Sequence, residues 1–178
     1  MTKIKNKILI IGLGYVGLPL CVEFHKKSLN VSGFDSDHEY INQLSKSNDT
    51  KNIIKNDRKY LSNINFSTNI KNFSDHNIFI ITVPTPIFKN KKPNLNMLKE
   101  ITKTISKSLS TGDIVIYEST VYPGTTEEIC VPILEKFSKL KFNKDFFVGY
   151  SPERINPGDK NHNLSNTIKI ISASNKKT

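Results

Sequence analysis

The feature that most constrains this fold is a set of three closely spaced glycines, Gly12, Gly14 and Gly17, directly after the apolar segment Lys7–Ile11. The apolar segment predicts a buried strand, and the residues after the last glycine have the spacing of a helix. A glycine-rich turn between a strand and a helix presents free backbone N–H groups that bind phosphate. The pattern GxGxxG in this position therefore predicts a dinucleotide-binding unit.

Each glycine has a distinct predicted role. Gly12 permits the tight turn, Gly14 lets a pyrophosphate approach the backbone, and Gly17 permits close packing of the helix on the strand. The phosphates are predicted to lie at the helix N-terminus, where the helix dipole stabilises negative charge without a basic side chain.

A carboxylate follows the second predicted strand, Val31–Phe34. Asp35 stands 18 residues beyond Gly17, which is where an adenosine ribose lies in a dinucleotide-binding fold. Its carboxylate can accept hydrogen bonds from both ribose hydroxyls, and together with Asp37 it would repel a 2′-phosphate. We therefore expect NAD rather than NADP. The alternative is that Asp35 only caps a turn or a helix.

Short apolar runs alternate with segments of helical period along the rest of the chain. Further strands are predicted at 78–83, 114–117 and 146–149, with less regular ones at 64–67 and 167–172, and helices at 97–109 and 125–140. Thr125 and Glu128 have the spacing of a capping box. The pattern predicts an α/β fold with a Rossmann-like, doubly wound, mostly parallel sheet, helices on both faces, and one domain over residues 1–178.

Polar clusters follow three of these strands, where ligands of open α/β sheets bind. For Thr82, Thr85 and Ser119, contact with a ligand and hydrogen bonding to loop backbone are equally open. Glu153 and Arg154 are adjacent opposite charges between two prolines after a buried strand. We expect them to belong to a site, with Glu153 as the candidate general base.

Composition excludes several classes of protein. The net charge is +10, but only two of the 26 basic residues are arginines, whereas base recognition relies on arginine. We therefore expect no nucleic-acid partner. No segment approaches the about 18 apolar residues of a membrane span, and the N-terminus lacks the pattern of a signal peptide.

Cysteines and histidines indicate no metal site and no disulfide. Cys21 and Cys130 lie far apart in predicted helices, which favours free thiols and a cytoplasmic location. The four histidines share no spacing and are expected at the surface: His25, His38, His76 and His162.

Five segments together resemble the UDP-glucose/GDP-mannose dehydrogenase family. They are GLGYVGLPL at 12–20, GFDSD at 33–37, TVPTP at 82–86, YESTVYPGTTE at 117–127 and SPERINPGD at 151–159. The last segment resembles the branch that acts on UDP-N-acetylhexosamines. Such enzymes oxidise the sugar C6 alcohol to a carboxylate with two NAD+, through intermediates on a cysteine, in the synthesis of surface polysaccharides such as capsule.

The resemblance also implies roles for individual residues. Those that match the family's NAD-binding positions are Gly12, Gly14, Tyr15, Val16, Gly17, Asp35, Thr85 and Thr120. Thr120 would also orient a catalytic water or the sugar hydroxyl, and Glu153 would be the base for thioester hydrolysis. Arg154 and Ile155 would contact the nucleotide sugar. Family members of full length are homo-oligomers.

Two departures from the family pattern qualify these expectations. No cysteine here has the glycine-rich surroundings of the family's nucleophile, and the family's dimerisation helix and UDP-binding domain are absent, so we expect the 178 residues alone to be inactive. Tyr40 stands where many relatives carry a basic residue near the adenosine, and its ring could stack there instead. The alternatives are a UDP-glucose or GDP-mannose dehydrogenase and a non-catalytic NAD-binding or interaction module.

Overall fold

The computed structural model describes residues 6–54, 56–152 and 168–175, which form one seven-stranded sheet. Its strand order is β3-β2-β1-β4-β5-β6-β7. The first six strands run parallel, and β7 pairs antiparallel with β6. The strands are β1 (Lys7–Ile11), β2 (Asn30–Phe34), β3 (Asn65–Ser67), β4 (Ile78–Ile81), β5 (Ile114–Tyr117), β6 (Phe147–Tyr150) and β7 (Ser172–Ala173).

In the described residues, four α-helices cover the two faces of the sheet. They are α1 (Gly17–Lys26), α2 (His38–Ser45), α3 (Asn96–Ser106) and α4 (Val131–Ser138). Shorter 3-10 helices span Arg58–Asn63 and Ile70–Phe73, and a π-helix spans Thr125–Cys130.

Alternation along β1 explains why both faces are covered. Ile8 and Ile10 pack into a core with α1 and α2, whereas Leu9 and Ile11 pack into a second core with α3 and α4. Successive side chains of a strand point to opposite faces, so a continuous apolar run requires a layer of helices on each side. The predicted doubly wound, mostly parallel sheet is confirmed.

The predicted helix over 125–140 is divided in two. The α-helical part begins only at Val131, because Pro132 has no N–H to donate and its ring would collide with the preceding turn of a regular helix. The wider π-helical turn accommodates this crowding. The predicted capping box is wrong: Gly124 precedes the helix with no side-chain cap, and the Thr125 hydroxyl donates to the Tyr122 carbonyl at 2.7 Å.

Several element ends also differ from the predictions. Strand β4 ends at Ile81, two residues before the predicted end, because its partner β1 ends at Ile11 and turns away at Gly12. Of the described residues near the C-terminus, Ser172 and Ala173 pair as a strand, whereas residues 168–171 of the predicted strand lie outside the ladder.

His76 corrects the expectation that the histidines lie at the surface. It is 8% exposed, with Nδ1 3.0 Å from Asp75 Oδ1 and Nε2 3.0 Å from Ser32 Oγ. His25 is half-buried, His38 is exposed, and His162 lies outside the described residues. Burial lowers the pKa of His76, which opposes the effect of Asp75.

Within the described residues, no helix has both the length and the apolar character needed to cross a bilayer.

Candidate functional site

Strands β1 and β4 are neighbours, yet the chain leaves them toward opposite faces of the sheet. The first leads into α1 on one face and the second leads toward α3 on the other. This divergence opens a crevice at the carboxyl ends of the strands. A cleft of about 760 Å³ lies there, which is within the size range of cofactor and small-molecule sites.

The glycine loop, residues 12–17, forms one edge of this cleft. Its conformation requires glycine at two positions, Gly12 and Gly17. Gly12 has a φ of 94°, which favours glycine, and its N–H donates to the Phe34 carbonyl at 2.9 Å. At Gly17 a Cβ would overlap the carbonyl oxygen of Gly12 and come within 2.5 Å of Thr82 Oγ1. The predicted roles of these two glycines, tight turn and close packing, agree with this geometry.

Gly14 differs from the other two because a Cβ there would meet no protein atom within 4 Å. It lies in the cleft wall with Tyr15 and Val16, at the N-terminal end of α1. The first turn of a helix has N–H groups without intrahelical partners, and these attract anions. The geometry therefore provides open space and backbone donors where the sequence predicts a pyrophosphate.

Asp35 lies at the end of β2 and already accepts two backbone hydrogen bonds. The Leu13 N–H donates to Oδ2 at 2.8 Å, and the Asp37 N–H donates to Oδ1 at 3.0 Å. These bonds fix the carboxylate beside the glycine loop in the cleft wall. Each oxygen retains a lone pair, so the carboxylate can still accept from ligand hydroxyls.

Hydroxyl groups after β4 and β5 connect the loops on the other side of the cleft. Thr82 Oγ1 donates toward the Ile11 and Gly12 carbonyls, at 3.1 and 2.6 Å. Ser119 Oγ donates to the Val83 carbonyl at 2.6 Å. Thr85 Oγ1 donates to the Thr120 carbonyl. All three hydroxyls thus bond to loop backbone, and because each still has acceptor lone pairs, ligand contact at Thr85 and Thr120 stays a prediction.

A partly buried ion pair lies at the same end of the sheet. Glu118 is 7% exposed and faces the cleft, and Lys169 Nζ lies 2.6 Å from its Oε2. The pairing offsets the cost of burying a carboxylate. It also connects the segment before β7 to the cleft, which the sequence did not indicate.

Most of the predicted cofactor residues do come together. Those that border the cleft are Gly12, Gly14, Tyr15, Val16, Asp35, Thr85 and Thr120, while Gly17 packs behind the loop. Glu153, Arg154 and Ile155 lie outside the described residues, so their predicted roles stay predictions.

Helix α3 supplies one wall of the cleft, which the sequence motifs did not indicate. The side chains on that wall are Met97, Glu100, Ile101 and Thr104. Their spacing of three and four residues marks one helix face, beside the apolar stripe that faces the sheet. That spacing was the feature of the sequence from which this wall of the cleft could have been predicted.

Lys51 also lines the cleft, and the sequence did not indicate this because the residue lies in a polar segment with no regular pattern. It borders the cleft near Asp35, and its ammonium lies 3.6 Å from the ring centroid of Tyr40. Tyr40 itself is 2% exposed, so its ring is not available to stack on a ligand. The suggestion that the tyrosine stacks on adenosine is therefore wrong.

The two cysteines are buried and free. Burial raises the pKa of both thiols, that of Cys130 to about 11. Neither thiol supplies a thiolate near neutral pH. Among the described residues no group of three or more side chains is placed to hold a metal ion.

Comparison with known proteins decides the family. A sequence model of the NAD-binding domain of the UDP-glucose/GDP-mannose dehydrogenase family matches residues 6–178. The chain belongs to that family. It is 53% identical over 169 residues to UDP-N-acetyl-D-glucosamine 6-dehydrogenase from Pseudomonas aeruginosa, covering 94% of this chain and 40% of that protein.

Two further relatives of the UDP-glucose/GDP-mannose dehydrogenase family agree. Protein CapL of Staphylococcus aureus is 47% identical over 167 residues, which cover 94% of this chain and 39% of CapL. The solved structure of UDP-D-ManNAc dehydrogenase from Pyrococcus horikoshii has a TM-score of 0.78 and 32% identity, over 85% of this chain and 37% of that one. The chain thus spans about 40% of the length of these curated relatives.

The family match also identifies the cofactor as NAD. The residues fit it: a carboxylate at the end of β2, open space at Gly14, and a helix N-terminus lie along one cleft.

Proposed function

We propose that these residues form the NAD-binding part of a UDP-N-acetylhexosamine 6-dehydrogenase that produces the uronic acid for surface polysaccharides. The observation that carries the proposal is the cleft between β1 and β4, in which the glycine loop and Asp35 line the same wall. The names of the relatives at 53% and 47% identity support the substrate class and a link to capsule.

The proposed chemistry assigns distinct tasks to the residues around the cleft. Bound NAD+ would supply the hydride acceptor for oxidation at C6 of the sugar. The glycine loop and the N-terminus of α1 hold the pyrophosphate, and Asp35 accepts from the adenosine ribose hydroxyls. Helix α3 forms an opposing wall that excludes water.

The residues after β5 and β6 are proposed to serve the sugar. Thr120 is exposed at the edge of the cleft, where its hydroxyl can orient a water or the C6 hydroxyl. Glu153 is proposed as the base for hydrolysis, with Arg154 and Ile155 contacting the nucleotide sugar; these three assignments come from the family motif.

The setting of the protein is part of the proposal. Both cysteines are free thiols, which agrees with a reducing cytoplasm. The family resemblance further suggests a homo-oligomer. We also propose that residues 1–178 act as one domain.

Calorimetric titration with NAD+ and NADP+ tests the cofactor assignment, with Asp35→Ala and Asp35→Asn as a matched pair. We expect selective NAD+ binding, weakened about tenfold or more in the alanine variant because ribose acceptors are lost. Asparagine keeps one acceptor oxygen and should lose less affinity. If the folded natural chain bound neither dinucleotide, the proposal would be wrong.

The substrate class requires the rest of the family's length. We expect a protein that continues these residues to that length to reduce NAD+ with a UDP-N-acetylhexosamine in preference to UDP-glucose or GDP-mannose. Preference for either of the latter sugars would reject the proposed substrate class while retaining the family.

A further inference from the structure

Lys51 lines the cleft, and its Nζ lies 3.6 Å from Oδ2 of Asp37, two residues beyond Asp35, the predicted ribose acceptor. Among the described residues Lys51 is the sole basic side chain that lines the cleft, whereas Asp35, Glu100 and Glu118 contribute acidic groups to the lining. A cation beside the predicted ribose position attracts a 2′-phosphate, and the surrounding carboxylates repel it. The balance of these charges therefore affects whether NADP binds.

Lys51 is held in a defined position. Its Nζ lies 3.6 Å from Asp37 Oδ2 and 3.6 Å from the centroid of the Tyr40 ring. A cation over an aromatic face gains electrostatic stabilisation. The side chain is still 45% exposed, so its ammonium is accessible from solvent and from the cleft.

The turn that carries Lys51 is fixed by buried contacts. Asp49 is 1% exposed; its Oδ1 lies 3.4 Å from the Tyr40 hydroxyl and its Oδ2 accepts from the Ile54 N–H at 2.8 Å. These bonds anchor the turn against α2 whatever side chain stands at position 51. A substitution of Lys51 can therefore change the charge without releasing the turn.

Asp37 has two tasks that can be separated. Its Oδ1 accepts from the Tyr40 N–H at 2.9 Å and caps α2, while its Oδ2 faces Lys51. Asparagine retains an oxygen acceptor for the cap but carries no charge. The variant Asp37→Asn therefore removes the ion pair and leaves the helix cap intact.

We propose that Asp37 and Lys51 together set the choice between NAD and NADP, with Asp37 neutralising a lysine that would otherwise bind a 2′-phosphate. In the natural protein Asp35, Asp37 and Lys51 leave the ribose end with a net negative charge. A hydroxyl tolerates that charge and a phosphate does not. This inference rests on the dinucleotide binding proposed above.

The test measures the dissociation constants of NAD+ and NADP+ by calorimetry for the natural chain and its variants. Asp37→Asn should strengthen NADP+ binding about tenfold and change NAD+ binding less than twofold. Lys51→Gln should weaken NADP+ binding more than NAD+ binding, while Lys51→Arg should restore the natural ratio. Because the effect is electrostatic, raising the salt concentration should reduce these differences.

Two controls separate a local effect from a change of overall charge. Glu39 is exposed in the first turn of α2, and Lys46 is exposed beyond its last turn. Glu39→Gln and Lys46→Gln should leave the ratio of the two dissociation constants unchanged. Thermal unfolding of every variant verifies that it is folded.

The outcomes are distinct. If Asp37→Asn leaves the NADP+/NAD+ ratio unchanged, or if Lys51→Gln weakens both cofactors equally, Lys51 does not bear on the choice of cofactor and the inference is overturned. Failure of the natural chain to bind NAD+ would instead reject the proposed function itself.

Discussion

The two sides of the cleft hold their polar groups in different ways. On the side of β1 and β2, backbone N–H groups and the Asp35 carboxylate line the cleft, and the space beside Gly14 is open. On the side of β4 and β5, the hydroxyls of Thr82, Thr85 and Ser119 already donate to loop carbonyls. The first side is organised to receive a ligand, and the second is organised to hold the loops together.

The largest expected effect concerns packing on the first side. Gly17→Ala should lower the free energy of unfolding by about 3 kcal/mol or more, because the new Cβ would overlap the Gly12 carbonyl oxygen. Chemical denaturation would measure it. A variant as stable as the natural chain would mean that the contact between α1 and the glycine loop relaxes without cost.

Gly14→Ala should separate ligand binding from stability. Its Cβ meets no protein atom within 4 Å, so the free energy of unfolding should change by about 0.5 kcal/mol or less. Affinity for NAD+ should fall about 100-fold, since the methyl group would project into the predicted pyrophosphate position. Calorimetry on the folded variant measures this, and unchanged affinity would contradict the position assigned to the cofactor.

Thr82→Val tests the structural role of the hydroxyls on the second side. Thr82 is 9% exposed and its hydroxyl bonds to carbonyls at the end of β1. Valine preserves the shape and removes the donor, so stability should fall by about 1–2 kcal/mol. Thr104→Val is the control, because that hydroxyl donates within an exposed helical turn. Equal losses in both variants would disprove a special role for Thr82.

The smallest effects are pH-dependent and have opposite signs at two buried groups, Asp113 and His76. Asp113, before β5, is 5% exposed, and burial raises its pKa to about 6. Its charged form destabilises the fold, so the protein loses stability as pH rises from about 4 to 6 and this carboxyl ionises. Asp113→Asn should therefore raise the melting temperature by about 2–4 °C at pH 7, and the gain should vanish near pH 4.

His76 shows the opposite response on the side of β2. Burial lowers its pKa from 6.5, so the neutral form is favoured and its stabilising contribution is lost as pH falls below that value. His76→Gln should flatten this decline in a series of melting temperatures between pH 5 and pH 8. If the natural chain and the variant declined in parallel, protonation of His76 would not contribute.

The difference between the two sides also explains what the sequence could predict. The strands and the glycine loop could be predicted because each needs a particular type of residue within a short segment of sequence. Strands β1 and β4 need apolar runs, and the loop needs glycine at positions 12 and 17. The role of Asp35 could be predicted from its distance along the chain from the glycine motif. The five segments that resemble the UDP-glucose/GDP-mannose dehydrogenase family then correctly indicated the family and the cofactor.

The remaining features depend on contacts between distant segments. Lys51 stands in a polar turn without periodicity, and only the folding of that turn against Tyr40 brings it to the cleft. The pairing of Glu118 with Lys169 joins residues 51 positions apart. Pro132 was visible, but its effect on the start of α4 depended on whether the backbone could widen into a π-turn. Local patterns do not determine such outcomes.

The contact between Glu118 and Lys169 has a consequence for synthesis on the ribosome. Glu118 emerges with β5 in the middle of the chain, whereas Lys169 emerges only after β6 has been made. Domains generally fold as units during synthesis. The charge of Glu118 in the cleft is therefore balanced only when one of the last segments of these 178 residues has been made and has docked.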